Sequence, residues 1–238
     1  MVEPDAAVLR RAAAFVFLAA AVVTWYLLAP HLDYPGHWPT ITIVAAGVLP
    51  ATLGLIYLAL PLWSNRWMFA AALVLGLIAF ATWKADWHLA SNFAKLAAYT
   101  CAGWAFLRLF EELAWVVLVA AIIPFVDAIS VAAGPTKAIV HHHVEVYSAV
   151  AVAFVAPAGG AAFLGPPDII FYALFLASAV RWRLRPGWTW IAMTGMYALT
   201  LVVANLADVD GLPALPFLSA GFLLANGDLL WRRLRPAR

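Results

Sequence analysis

The sequence predicts an all-α polytopic membrane protein, with about eight transmembrane helices and a short strand or hairpin between the fifth and the sixth. Three observations lead there. Of the 238 residues, 66% are hydrophobic and only 11% are charged, whereas soluble domains run at about 45–50% apolar and about 25% charged. The apolar residues fall in runs of about 20, the length at which a helix crosses a hydrocarbon core of about 30 Å. Arg and Trp gather at the ends of those runs, as they do at membrane interfaces.

Composition also excludes other classes. The net charge is +2, and the arginines sit at run ends rather than on a solvated patch, so there is no nucleic-acid footprint. The single cysteine, Cys101, cannot form an internal disulfide. Arg10-Arg11 precedes an apolar stretch longer than the hydrophobic part of a signal peptide, which reads as a retained first span.

The first predicted helix covers residues 8–29 and is closed by Pro30. The second covers 40–63 and the third 67–83. The fourth, 89–110, is weaker because it carries Asn92 and Lys95. The fifth covers 113–133, the sixth 158–180, the seventh 188–207 and the eighth 213–231. Residues 1–112 thus hold about four N-terminal spans, and residues 113–238 hold the remainder. Trp25, Trp38, Trp63, Trp67, Trp83, Trp87, Trp188 and Trp231 lie near predicted ends, as an interfacial belt. The stretch 145–157 is too short to span, and Val150-Ala151-Val152-Ala153-Phe154-Val155 alternates within it, so it reads as a strand or hairpin.

The excess of Lys and Arg on one side sets the orientation. Arg10, Arg11, Arg66, Arg108, the cluster Arg181, Arg183 and Arg185, and the tail from Arg232 to Arg238 fall together on the cytoplasmic side. Both termini are then cytoplasmic. The loop 84–88, the connection 134–157 and the loop with Asp208 and Asp210 fall outside. Ala- and Arg-rich composition points to an integral protein of a prokaryotic plasma membrane.

Two carboxylates lie inside predicted spans, Asp127 and Asp168. An ionised Asp at mid-bilayer costs about 2.5–3.5 kcal/mol on insertion scales, so such a residue is a functional candidate by default. Counted at 1.5 Å per residue, both fall about 10 Å below the outer boundary. Their helices are adjacent in sequence and antiparallel, so contact between them is expected. Two carboxyl groups sharing a dry site do not both ionise; one keeps its proton and the other stays charged. That pairing suits amide hydrolysis. The charged group deprotonates an attacking water, and the neutral one protonates the carbonyl oxygen and then the leaving amine. No metal or cofactor is required.

Gly165-Pro166-Pro167 directly precedes Asp168, and two prolines mark a helix that restarts there. Irregular backbone at membrane depth is tolerated when it is buried in protein or faces water, and a hydrolase needs water. A third element, Pro213-Ala214-Leu215-Pro216, opens the eighth helix on the same side.

Together these residues resemble the presenilin and signal peptide peptidase family of intramembrane aspartyl proteases. The family pattern is Tyr-Asp in one span, Gly-x-Gly-Asp in the next and Pro-Ala-Leu at the start of the last. Here the three appear in order as Phe125-Val126-Asp127, Gly165-Pro166-Pro167-Asp168 and Pro213-Ala214-Leu215, within residues 113–231. Val126 replaces the family Tyr, Pro167 replaces the second Gly, and the family usually has one more span. The resemblance implies cleavage of single-span transmembrane peptides in the lipid bilayer by Asp127 and Asp168, with Gly165, Pro166, Pro167, Pro213, Ala214 and Leu215 shaping the site. It also implies that the strand with Val152 and Phe154 pairs with an unwound substrate by β-augmentation. The predicted orientation is like that of signal peptide peptidase, and favours type II helices or remnant signal peptides.

His141-His142-His143 with Glu145 does not read as a metal site, because adjacent histidines on a loop converge poorly on one ion. Two other readings of the aspartates stay open. One is a proton or cation transporter, since broken helices with midplane acids also mark transporters. The other is an impaired relative that binds membrane helices without cutting them.

Overall fold

A computed structural model describes residues 6–33, 36–133, 147, 149–209 and 212–234. Eight helical rods account for most of these: α1 (Ala6–Leu28), α2 (His37–Leu62), α3 (Met68–Lys84), α4 (His88–Leu107), α5 (Leu113–Ala133), α6 (Pro166–Arg181), α7 (Pro186–Leu206) and α8 (Leu215–Leu234). Two strands, β1 (Val152–Val155) and β2 (Ala161–Leu164), form an antiparallel hairpin between α5 and α6. The protein is therefore mostly helical, with one small sheet, as its composition requires.

Among the described residues, four segments are long and apolar enough to cross a membrane: Ala6–His31, His37–Leu62, Leu113–Val131 and Pro186–Leu206. Their outer faces support a membrane setting. Phe17, Phe125 and Ile129 are each more than two-thirds exposed, and an apolar surface on this scale needs a nonaqueous neighbour. Trp38, Trp67, Trp87, Trp188 and Trp231 are exposed at rod ends, as an interfacial belt requires. Trp25 differs. It turns inward, and its indole N–H donates to the Val155 carbonyl at 2.9 Å.

The rods have physical reasons for their ends. Pro186 occupies the first turn of α7, where a missing N–H costs nothing. Pro124 lies within α5 without ending it. The π-helical turn Val44–Val48 within α2 precedes Pro50, and absorbs the backbone bond that a proline cannot donate.

At one end of the bundle, arginines cap the last carbonyls of neighbouring rods. Arg11 donates to Leu58 at 2.9 Å and to Tyr57, Arg181 to Leu107 at 2.8 Å, and Arg233 to Trp182. Cations at helix C-termini complement the macrodipole as well as the unpaired C=O groups. The opposite end carries the hairpin. There the Ala158 N–H donates to Leu32, just beyond α1, at 3.0 Å.

The core is built around α6. Ile169 and every residue from Tyr172 to Ala179 are fully buried, and α4, α5, α7 and α8 all touch this helix. Close approach needs small residues. A Cβ on Gly103 of α4 would lie 2.3 Å from the Ile170 carbonyl oxygen, and one on Gly221 of α8 would lie 2.9 Å from Met193 Cα on α7. Helices inside a membrane gain little from apolar burial against each other, so such contacts carry their association.

The sixth helix is shorter than expected. Residues 158–164, predicted as its first turns, form the hairpin turn and β2 instead. Ala158 and Gly159 take positive φ, 56° and 75°, which reverses the chain, and Pro166-Pro167 supplies no N–H to extend the helix backwards. A run of apolar residues looks alike whether it is strand or buried helix. The hairpin itself, expected around Val150–Val155, is present.

Candidate active site

The hairpin delivers the chain to Asp168. Leu164 pairs with Val152, and Gly165 then caps α6 in extended conformation. Pro166 and Pro167 fill the first two helical positions, and Asp168 is the third. Its carboxylate reaches back to the Gly165 N–H at 2.8 Å, while its own N–H donates to the Gly165 carbonyl at 3.1 Å. The side-chain bond is one half of a capping box, with Asp in place of the usual Glu; Gly165 has no side chain to supply the other half, and its backbone carbonyl takes the Asp168 N–H instead. Pro167 therefore fits its position without distorting the turn.

Asp127 belongs to α5 and serves a different helix. It accepts the Leu215 N–H on Oδ2 at 3.0 Å. Leu215 opens α8, so its N–H is one of the four that a helix leaves unpaired. The Pro213-Ala214-Leu215 segment is thereby tied to the first aspartate. Each carboxylate sits against the N-terminus of a helix, α6 or α8, where the dipole favours negative charge. Both are half-buried, on helices α5 and α6 that touch.

Tyrosines complete the cluster. The Tyr197 hydroxyl donates to the Asp168 backbone carbonyl at 2.9 Å. Its ring stacks on Tyr172 with centroids 5.9 Å apart, and the Tyr172 hydroxyl shares a 2.8 Å hydrogen bond with Thr194. Chemically, this is a pair of carboxyl groups with backbone-anchored oxygens beside an extended hairpin. On touching helices, such a pair can serve as general acid and general base toward a water.

The sequence matches no protein-family model and no curated protein.

Asp127, Asp168, Gly165, Pro166, Pro167, Pro213, Ala214 and Leu215 converge at the hairpin end of the bundle. Val152 and Phe154 do not face outward; both are fully buried in the core. Their packing does not suit contact with a substrate. The hairpin closes through the Ala156 N–H on Gly160 at 2.8 Å, and alternation along the ladder turns Ala153 and Val155 to the outer edge of β1 and Ala161 and Phe163 to that of β2. Side chains from α1 and α4 occupy the β1 edge, whereas the outward groups of Ala161 and Phe163 have no hydrogen bond among the described residues. His141, His142, His143 and Glu145 lie outside the described residues, as do Asp210 and Gly211. Among the described residues no cluster of His, Cys, Asp or Glu could hold a metal.

Sequence reasoning missed Tyr197, Tyr172, Tyr26 and Thr194, whose positions in apolar runs carry no signal. It noted Asn92 and Lys95 as a weakness of the fourth span, and Lys95 also as a residue that snorkels or lines a cavity. A polar pair three residues apart inside an apolar helix was the available clue, since such groups need partners.

Proposed function

We propose that this chain is an intramembrane aspartyl endopeptidase of the presenilin and signal peptide peptidase type, hydrolysing peptide bonds within transmembrane helices or remnant signal peptides. One observation carries the reading. Three separate segments, ending in Asp127, Asp168 and Pro213-Ala214-Leu215, meet at one end of the bundle, with Leu215 bonded to Asp127 at 3.0 Å. On this reading all eight rods cross a prokaryotic plasma membrane with both termini cytoplasmic.

The depth of the site supports it. The 16 residues of α6 span about 24 Å, less than a hydrocarbon core of about 30 Å. With Arg181 at the cytoplasmic surface, Asp168 lies below the opposite surface, beside the irregular backbone of Gly165 and Pro213. In the reaction, the ionised carboxylate takes a proton from water as the oxygen adds to the scissile carbonyl. The protonated partner gives its proton to the carbonyl oxygen. Collapse of the tetrahedral intermediate then breaks the C–N bond, the amine leaves with a proton, and the pair regains its starting charge. The open edge of β2, which leads to Asp168, is the site at which an unwound substrate pairs.

A second reading rests on the same hydrogen bonds. Both aspartates cap helices, so a chain that binds membrane helices without cutting them would also keep them. Cleavage of a labelled single-span helical peptide by the purified protein in lipid decides between the two. The protease reading expects cutting by the wild-type protein and none by Asp127→Asn or Asp168→Asn. Undiminished cutting by either variant would sink it, and a folded wild-type protein that binds the peptide without cutting supports the second reading.

A further inference from the structure

The outer edge of β1 is occupied by side chains rather than by a strand. Asn92 of α4 presents its amide to Ala153 as a peptide group would: Nδ2 donates to the Ala153 carbonyl at 2.9 Å, and the Ala153 N–H donates to Oδ1 at 2.8 Å. Three more donors complete the edge. Tyr26 reaches the same Ala153 carbonyl at 2.6 Å, Trp25 reaches Val155 at 2.9 Å, and Lys95 reaches Ala151 at 2.6 Å. Tyr99 extends the row to Val150 at 2.8 Å. Backbone groups on a strand edge away from water need partners, and here two helices supply them. Asn92 is the member that both donates and accepts.

We propose that Asn92 is a positioning residue that acts as a surrogate third strand, fixing the hairpin in register so that the open edge of β2 holds an extended peptide against Asp168. This rests on the protease reading for its catalytic consequence, but not for the clamp itself. The register matters because β2 runs without interruption into Gly165 and the α6 cap, so a shift at Ala153 is passed to Asp168 through the ladder. Closing β1 also makes the hairpin one-sided: a peptide that adds to it can add only beside Ala161 and Phe163. Asn92 is buried, beside a cavity of about 340 Å³ also lined by Trp83, His88 and Leu89, and its amide is satisfied by its two hydrogen bonds to Ala153.

The test compares Asn92→Leu, similar in size and without hydrogen-bonding groups, and Asn92→Asp, which keeps the acceptor for the Ala153 N–H, with the wild-type protein in lipid. Amide hydrogen exchange is read across residues 149–165, and cleavage positions are mapped on a single-span peptide. Asn92→Leu is expected to speed exchange of the Ala153 amide about tenfold or more, as an unsatisfied buried donor implies, with the helices unchanged. Cleavage is expected to spread to neighbouring peptide bonds, with kcat falling more than KM rises. Asn92→Asp should retain slow exchange at Ala153. If Asn92→Leu does not fold, Tyr26→Phe, which removes one of the two donors to the Ala153 carbonyl, is expected to give a smaller shift in the same direction. Unchanged hairpin exchange, or exchange raised equally in all helices with cleavage positions unmoved, would overturn the proposal. Failure of the wild-type protein to cut any peptide would remove the protease reading, while the exchange at Ala153 would still decide the clamp.

Discussion

The backbone N–H of Leu215 donates to the carboxylate of Asp127 at 3.0 Å, across 88 positions of sequence. A helix start and an aspartate on another helix thus depend on one another. Neither α5 nor α8 supplies a partner for the group it contributes. Leu215→Pro would remove the donor while keeping a residue suited to a first helical turn. A hydrogen bond to a charged group contributes about 1.5–3 kcal/mol, so peptide cleavage should fall about tenfold to a hundredfold. Leu215→Ala, which keeps the N–H, should lose less activity. Equal losses in the two variants would mean that the side chain matters and the hydrogen bond does not.

Gly103 is where α4 crosses α6. Adding a methyl group there would meet the Ile170 oxygen at 2.3 Å, so the two helices must separate. Overpacking of this kind costs about 1–3 kcal/mol. Gly103→Ala should lower the unfolding midpoint in detergent. Because Ile170 lies in the first turns of α6 near Asp168, cleavage should weaken too. Gly76→Ala, where nothing lies within 4 Å, should be neutral or slightly stabilising, since Ala favours a helix by about 0.5–1 kcal/mol over Gly.

The Tyr197 hydroxyl holds the Asp168 backbone carbonyl at 2.9 Å. Tyr197→Phe removes this bond and leaves the ring stacked on Tyr172. The loss in stability should be about 0.5–1.5 kcal/mol, with a larger proportional loss in cleavage. Thr194→Val, which breaks the neighbouring bond from Tyr172, should affect stability alone. Parallel losses in both variants would argue that Tyr197 only packs α7 against α6.

Polar groups at the arginine end differ sharply in burial. Asn226 is fully buried, and binds Thr189 at 2.8 Å and the Arg185 N–H at 3.1 Å. Asn226→Leu strands those partners and should destabilise the α7–α8 pair by about 1–3 kcal/mol in equilibrium unfolding. Asp228 pairs with Arg185 at 2.7 Å, but both are exposed. Exposed pairs are screened and entropically costly, so Asp228→Asn should leave the midpoint unchanged. The order would be reversed if surface charge, not the buried amide, held these helices.

Much of this fold is legible in one dimension. The fifth span predicted at 113–133 coincides with α5, and the other rods except α6 begin and end close to the predicted bounds. Hydropathy and proline placement are local, so they mark where a rod begins and ends. The hairpin is legible from alternation at 150–155, and the restart before Asp168 from Pro166-Pro167, because proline has no N–H to give.

The sequence by itself determined a mostly helical, apolar chain in which Asp127 and Asp168 stand out as acidic residues within apolar runs. The tertiary structure alone decided which groups those aspartates bind and which hairpin edge is closed by side chains. It also turned residues 158–164 from helix to hairpin turn and strand, and buried Val152 and Phe154 in the core. The physical reason is the range of the interactions. Asn92 meets Ala153 across 61 positions, Leu215 meets Asp127 across 88 and Tyr26 meets Ala153 across 127. No periodicity records such pairs, because they exist only once the helices have packed and left each backbone group a single partner within reach.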